Sequence, residues 1–302
     1  MSETSMGRFC RRWFYCWLVA GVSLFFVGAA FHFLVPVFAP HVPDAFENTH
    51  LFRPWSGWTS AYMAIHPLIF AVVFSAFFLG LRDRTAFPAG VRGGALYGIG
   101  VFLVGSLPVF LLVYAAMAIT TEIAVLWTVQ NAMQYLIAGA VMGSVADGVH
   151  IQAAVELPAP ANRVWDLLLR KDTFLEITRG MMAYENTDTW PETLFSPDTT
   201  LTTRVRPFGI GPASQHEVRV VQVDASQRVI QTDESGGLVT TWQHTMRIES
   251  LSDQRCRYTD RIFLHAGIIT PAIGLFAMVF YRYRQHRWKR LLRRSVEKSG
   301  HL

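Results

Sequence analysis

The sequence contains little charge and few cysteines. Of its 302 residues, 16% are charged and 51% are hydrophobic, and the mean hydropathy is +0.27. Soluble globular domains carry about 25% charged residues, so the composition excludes a purely soluble protein, and its hydrophobicity excludes a disordered chain. Three cysteines are too few for a disulfide-stabilised scaffold. The sequence also lacks a dinucleotide fingerprint, a Walker loop and a tetrahedral metal-ligand spacing. We therefore expect no cofactor and no metal.

The charges that are present lie mostly in the second half of the chain. Residues 1–148 contain 7 Lys and Arg and 6 Asp and Glu, whereas residues 149–302 contain 20 and 16. A chain of this length holds about two domains of 100–200 residues each. The charge distribution predicts a membrane domain over 1–148 and a water-soluble domain over 149–302.

Four apolar stretches in the first half reach the length of about 20 residues that a bilayer-spanning helix needs. The first stretch is much longer than the 7–15 apolar residues of a signal peptide, so we expect it to remain as an uncleaved helix. Glycines four residues apart in the third and fourth stretches favour close helix contact. These glycines are Gly94, Gly98, Gly139 and Gly143, and the four stretches are 13–38, 61–81, 95–117 and 122–145.

Basic residues in the short loops predict the orientation of this four-helix bundle. Lys and Arg concentrate in cytoplasmic loops. The N-terminal tail and the 82–94 loop are basic, whereas the 39–60 loop has one arginine and two acidic residues. Both termini are therefore predicted to be cytoplasmic, in a bacterial inner membrane, and this half resembles uncharacterised four-span bacterial membrane proteins. The residues concerned are Arg8, Arg11, Arg12, Arg82, Arg84 and Arg92, and in the 39–60 loop Asp44, Glu47 and Arg53.

The second half shows a different pattern. Alternating residues from His150 predict a strand, and the sequence Ala159-Pro-Ala-Asn-Arg-Val-Trp-Asp-Leu-Leu-Leu predicts a helix. A second short helix follows around 174–177, and a long helix from about Pro271 to Arg294 ends the chain. Between the helices, turn residues separate six predicted strands at 181–188, 199–208, 214–224, 227–234, 238–250 and 254–265.

This order of elements, together with three motifs, resembles the helix-grip superfamily of START lipid-transfer domains, polyketide cyclases and birch-pollen-allergen-like proteins. The motifs are Gly237-Leu-Val-Thr-Thr-Trp-Gln-His, Arg257-Tyr-Thr-Asp and Tyr281-Arg-Tyr-Arg-Gln-His-Arg-Trp. The resemblance implies an α+β domain with an antiparallel sheet curved around the long C-terminal helix, enclosing an apolar cavity.

Strand alternation predicts which side chains face that cavity. A turn at 250–254 would pair Glu249 with Arg255, and therefore His244 with Asp260. The long helix is predicted to cover the cavity with its apolar part, although a fifth membrane span is an alternative interpretation of 268–281. The predicted lining is Thr203, Val205, Val218, Val220, Trp242, His244, Met246, Tyr258, Asp260, Ile262, Phe276 and Phe280, with His216 at the mouth.

Three functions are consistent with this interpretation. The first is a membrane-anchored protein that binds a lipid, quinone or polyketide-like molecule in the cavity. The second is a cyclase- or hydrolase-type enzyme in which His244 acts as a base oriented by Asp260, although no aligned nucleophile accompanies the pair. The third is a non-enzymatic membrane scaffold. No nucleic-acid motif is present, and the oligomeric state stays open.

The end of the chain is strongly basic. Each basic residue near anionic lipid contributes about 1 kcal/mol to membrane binding, so this segment is predicted to contact the membrane surface. A solvated helix end that complements the helix dipole is the alternative. The residues are Arg282, Arg284, Arg287, Lys289, Arg290, Arg293 and Arg294.

Overall fold

The computed structural model separates the chain into two compact units, Met1–Asp147 and Gly148–Leu302. Asp44, Glu47 and Arg84, on which the predicted orientation partly depends, lie outside the described residues, as do the side chains of Arg8 and Arg294. The structure describes residues 3–42, 52–53, 57–82, 88–210 and 212–299.

The first unit is helical. Its third long helix is interrupted by a π-helical turn, where the sequence predicted a continuous span over 95–117. Pro108 has no backbone N–H to donate to the carbonyl of Val104, and this explains why regular α-helical bonding breaks there. The elements are α1 (Glu3–Phe38), α2 (Trp58–Arg82), α3 (Gly90–Val101), the π-turn (Phe102–Ser106), α4 (Leu107–Ala116) and α5 (Thr121–Asp147).

Three helical segments among the described residues are long and apolar enough to cross a membrane: Phe9–Phe38, Trp58–Arg82 and Gly90–Ala116. The predicted count of four is not confirmed. Helix α5 has sufficient length but contains polar residues, and its Gln134 Nε2 donates to the Leu24 carbonyl at 2.8 Å.

Helices α3 and α5 approach each other through glycines, as predicted. A Cβ on Gly94 would lie 1.9 Å from the Gly139 carbonyl oxygen, and one on Gly143 would lie 2.2 Å from the Gly90 oxygen. These distances are too short for any side chain, so only glycine permits this backbone contact.

One end of the first unit is held together by Asp147. Its Oδ1 lies 3.0 Å from Arg12 Nη2 and also pairs with Arg82, while its Oδ2 accepts the Gly90 N–H at 2.8 Å. The start of α1, the end of α2, the start of α3 and the end of α5 therefore meet at one end of the unit.

The second unit has the predicted order of one strand, two helices, six strands and a long helix. Its curved sheet has the order β1-β7-β6-β5-β4-β3-β2, and every neighbouring pair is antiparallel. This is the helix-grip fold. The strands are β1 (Val149–Leu157), β2 (Met182–Tyr184), β3 (Thr200–Pro207), β4 (Ser214–Asp224), β5 (Val229–Gly236), β6 (Val239–Ser252) and β7 (Arg255–His265), and the helices are α6 (Ala161–Leu168), α7 (Lys171–Thr178) and α8 (Thr270–Ser299).

Two details differ from the sequence prediction. Strand β2 ends at Tyr184 rather than near 188, because Asn186 adopts a left-handed conformation with φ 57° and a 3₁₀ turn follows. The register between β6 and β7 pairs Glu249 with Arg257, because Ser252 pairs with Arg255 across a tight turn and the register shifts at a bulge. The predicted opposition of Glu249 to Arg255, and of His244 to Asp260, is therefore wrong by two residues.

The two halves of α8 have different environments. Trp288 and Leu292, in its C-terminal half, are buried in a solid core with Leu157, Leu168 and Tyr258. Its N-terminal half packs Ala277, Phe280 and Tyr281 against β1 and β7. The helix is not among the candidate membrane spans, so the alternative of a fifth span has no support.

Candidate functional site

A cavity of about 680 Å³ lies between the concave face of the sheet and the N-terminal half of α8. Trp288 is fully buried in the core cluster and is not part of the cavity wall. Eight of the predicted lining residues form part of its wall, namely Thr203, Val205, Val218, Trp242, His244, Met246, Phe276 and Phe280.

The remaining four predicted residues do not line the cavity. Val220, Tyr258, Asp260 and Ile262 are all buried, in the packed interior of the unit. Strand alternation gave their inward direction correctly, but it carries no information about which part of the concave face is covered by core side chains. Their assignment to the cavity wall is corrected accordingly.

A cluster of aromatic residues that the sequence analysis missed forms another part of the wall. Phe174 of α7, Tyr184 of β2 and Trp190 all line the cavity. The Trp190 ring centroid lies 6.1 Å from that of Phe174 and 5.4 Å from that of Tyr184. Phe174 and Tyr184 lie in short elements and Trp190 lies in irregular backbone, so no sustained periodicity indicated these inward side chains. The aromatic residues themselves were the signal in the sequence that could have indicated this part of the wall.

Apolar residues surround the mouth of the cavity. Phe208, in the turn between β3 and β4, lies edge-on to Phe276 of α8 with ring centroids 5.8 Å apart. Ile210 in the same turn and Leu238 in the turn between β5 and β6 also border the cavity while exposing 74% and 73% of their surface. The opening is therefore itself hydrophobic.

One wall of the cavity contains a buried charged network centred on His244. His244 Nε2 lies 2.9 Å from Asp260 Oδ1, and Nδ1 lies 3.5 Å from Glu234 Oε1. His244 and Asp260 are diagonal rather than directly opposed neighbours, yet the predicted contact forms. Burial alone would lower the pKa of His244, but hydrogen bonds to Asp260 and Glu234 outweigh it and raise the pKa above its ordinary value. His244 therefore lies between two carboxylates, which favour its protonated form.

Glu234 connects this network to the cavity. Its Oε2 accepts a hydrogen bond from His216 Nε2 at 3.0 Å, and its Oε1 accepts one from Thr232 Oγ1 at 2.9 Å. Burial would raise its pKa, but hydrogen bonds from His216 and His244 outweigh burial and lower the pKa below its ordinary value. Extending the alternation of β5 from Ile230 through Thr232 would have revealed this inward carboxylate, which the sequence analysis did not identify.

Arg284 completes the network and corrects the prediction for the basic helix. It is 2% exposed and lines the cavity, with Nη2 donating to the Tyr258 hydroxyl at 3.1 Å and Nη1 4.0 Å from Asp260 Oδ1. Burial alone would raise the pKa of Asp260. The charge of Arg284 and the hydrogen bond from His244 outweigh burial and lower the pKa below its ordinary value. Arg284 cannot be a membrane-surface residue, because it shares the inward face of α8 with Trp288, one turn away.

The other basic residues of α8 fall into two groups. Arg287 is largely covered and pairs with Glu176 of α7 at 2.5 Å. Arg282, Lys289, Arg290 and Arg293 are exposed.

The described residues show no second source of chemistry. Cys256 is fully buried, and burial raises the pKa of its thiol to about 11. Within the described ranges, no group of three or more His, Cys, Asp and Glu side chains is placed to hold a metal ion. The polar chemistry of the cavity therefore depends on the network around His244.

Sequence comparisons find no matching protein family and no matching curated protein. The resemblance of the first half to four-span bacterial membrane proteins thus has no support from them. Solved structures match about half of the chain. The Zhui aromatase/cyclase of a Streptomyces species is 14% identical, with 50% of this chain and 98% of its own chain covered and a TM-score of 0.40.

Two further solved structures have similar identities, coverages and TM-scores. A norcoclaurine synthase mutant from Thalictrum flavum is 13% identical, covers 49% of this chain and 95% of its own, and has a TM-score of 0.37. A START superfamily protein from Mycobacterium smegmatis is 12% identical, covers 47% and 98%, and has a TM-score of 0.34. At these identities and TM-scores the similarities transfer no activity to this chain.

Proposed function

We propose that this protein is anchored in a membrane by its first unit and binds a small hydrophobic molecule in the cavity of its second unit. The observation that carries the proposal is a cavity of about 680 Å³ with mainly aromatic and aliphatic walls and one polar side. Ligand pockets typically measure about 300–1,000 Å³ and combine apolar walls with a few placed polar groups.

From this network we infer that the ligand is neutral. The two carboxylates of Glu234 and Asp260 lie beside two basic groups, the His244 imidazole, whose pKa is raised, and the Arg284 guanidinium. A ligand with a net charge would leave that charge unpaired in a buried site, which is costly. At the wall, the His216 imidazole can instead donate a hydrogen bond to a hydroxyl or carbonyl oxygen, and the Glu234 carboxylate can accept one from a hydroxyl group. A neutral lipid, a quinone or a polyketide-like molecule fits these requirements.

Anchoring gives such a ligand a short route to the cavity. Apolar molecules concentrate in bilayers, and tethering a binding domain raises its effective concentration at the membrane. The candidate spans of the first unit provide the tether. On the charge pattern of the loops, we place both termini and the second unit on the cytoplasmic side, in a bacterial inner membrane with four spans.

Native mass spectrometry of the full-length protein in mild detergent tests the binding function. Val218→Trp places an indole in the cavity wall, whereas Val221→Trp adds the same group at an exposed site of the same strand. We expect wild type and Val221→Trp to retain a small hydrophobic molecule and Val218→Trp to lose it. An empty wild type, or equal occupancy in all three proteins, contradicts the proposal.

An enzyme of the cyclase or hydrolase type is the second candidate, and one observation favours it. Asp260, His244, Glu234 and His216 form a continuous chain of hydrogen-bonding groups from the core to the cavity wall. Such a chain can hold a proton at the wall for acid–base chemistry.

The identity of the bound molecule separates the two candidates. If Glu234 takes part in a reaction, Glu234→Gln should retain a different compound from wild type, because substrate accumulates. If the protein only binds, both proteins should retain the same compound.

A further inference from the structure

Helix α8 carries an outward stripe that changes character along its length. Leu275, Met278 and Val279 are exposed and spaced by three or four residues, so they share one face. The same face continues toward the C-terminus through the exposed residues Arg282, Lys289, Arg290 and Arg293. We call the first group the apolar stripe and the second the basic stripe.

The apolar stripe adjoins the hydrophobic mouth of the cavity. Leu275 precedes Phe276, whose ring contacts Phe208 of the turn between β3 and β4. Ile210 and Leu238 extend this surface around the opening. Isolated exposed apolar residues are ordinary, whereas a contiguous apolar patch bordered by charge indicates an interaction surface.

The charge of the basic stripe identifies the kind of partner. Helix α8 contains no Asp or Glu before Glu297. Within the described ranges, no salt bridge involves any of these four basic side chains. A surface that is apolar at one end and purely cationic at the other matches an anionic bilayer, where acyl chains lie below a layer of negative head groups. A nucleic acid would satisfy only the basic stripe.

We propose that this surface docks on an anionic lipid bilayer, with the apolar stripe and the mouth turns at the acyl boundary and the basic stripe against the head groups. The chain's own candidate spans keep the second unit near such a surface. The docking surface is separate from the charged network of the cavity, and it would exist even if the cavity bound nothing.

Site-directed fluorescence on the full-length protein in lipid nanodiscs tests this proposal. An environment-sensitive probe is attached at Val279→Cys, and in the control at Val221→Cys. These two valines are 53% and 50% exposed, so unbound they should behave alike. Cys10→Ser removes the exposed native thiol, whereas Cys16 and Cys256 are buried. Quenching is measured with aqueous iodide and with spin-labelled phospholipid.

In discs that contain phosphatidylglycerol, we expect the probe at position 279 to lose most iodide quenching and to gain quenching by the spin-labelled lipid. The probe at position 221 should respond only to iodide. Replacing Arg282, Lys289, Arg290 and Arg293 together by glutamine should restore iodide quenching at position 279.

Three results would overturn the proposal. Equal iodide quenching at both positions would show that the stripe does not dock. Shielding of position 279 in lipid-free amphipol would show that protein covers it instead. Shielding that is unchanged in phosphatidylcholine discs and in the glutamine variant would exclude a role for anionic lipid.

Discussion

At the scale of single residues, Asp260 is the centre of the buried network. Its Oδ1 accepts hydrogen bonds from His244 at 2.9 Å and from the Tyr258 hydroxyl at 2.6 Å, and Arg284 lies 4.0 Å away. Removing one partner from a buried charged network costs about 3–5 kcal/mol, because the other charges remain buried and uncompensated. We therefore expect Asp260→Ala to destabilise the second unit by about this amount.

Asp253 provides the control for that variant, because it is an exposed aspartate in the turn between β6 and β7. Exposed substitutions of this kind change stability by about 0.5 kcal/mol or less. Chemical denaturation of the full-length protein in detergent, followed by tryptophan fluorescence, compares the two. Equal free energies of unfolding for the two variants would contradict a stabilising role of the network.

The network also predicts how stability depends on pH. The pKa of His244 is raised in the folded protein, so its stabilising charge is fully present below the unfolded pKa of about 6.5 and is lost as pH rises through the folded value. His244→Gln removes this contribution. The difference in thermal midpoint between wild type and His244→Gln should be largest in mildly acidic buffer and should shrink as the buffer becomes alkaline. A difference that grows with pH would show that His244 is neutral in the fold.

Sequence alternation predicted the inward direction of His244 but not the charges around it. The register error at the β6–β7 turn arose because a bulge cannot be read from the alternation of apolar residues. Arg284 was wrongly assigned to the membrane surface because it lies in a strongly basic segment. It lies one helical turn before the buried Trp288 and therefore on the inward face of α8. Glu234 lies on the inward face that Ile230 and Thr232 define, but polar residues on both faces of β5 obscure that alternation in the sequence.

At the scale of secondary-structure elements, the contact between α3 and α5 depends on individual glycines. A Cβ on Gly98 would lie 2.0 Å from the Tyr135 carbonyl oxygen, whereas Gly100 on the same helix has no neighbouring atom within 4 Å. Because the clash is with backbone, Gly98→Ala must separate the helices, at a cost of about 1–3 kcal/mol.

Unfolding of the full-length protein in mixed micelles with increasing sodium dodecyl sulfate measures this effect. We expect Gly98→Ala to unfold at a lower detergent fraction than wild type and Gly100→Ala to unfold at the same fraction or higher. Unfolding of both variants at the same detergent fraction would mean that helices α3 and α5 are not in backbone contact.

Element order was the most predictable part of the fold. The strand and helix periods, with turn residues between them, gave the correct succession in the second unit. Interruptions were less predictable, because they depend on local hydrogen bonding. The π-turn before Pro108 and the early end of β2 at Tyr184, before the left-handed Asn186, both replace a regular pattern that the residue types alone would continue.

At the scale of the whole molecule, the chain forms two compact units. That the first is a membrane domain and the second a water-soluble one stays a prediction from the distribution of charge. The cavity could be expected from the fold, but its position could not. Its extent is set by how far large side chains such as Trp288 and Leu292 fill the concave face, which is a property of the packed structure. The aromatic wall of Phe174, Tyr184 and Trp190 likewise depends on the path of the chain from α7 to β3.

Photo-cross-linking with a neutral, aliphatic diazirine alcohol tests most directly whether the cavity accepts a hydrophobic molecule. The full-length protein is labelled in mild detergent, and the labelled residues are mapped by mass spectrometry of its peptides. The account predicts labelling of cavity residues such as Val218, Trp242 and Phe276, strongly reduced in Val218→Trp and unchanged in Val221→Trp. Labelling confined to helices α1–α5, and insensitive to Val218→Trp, would contradict it.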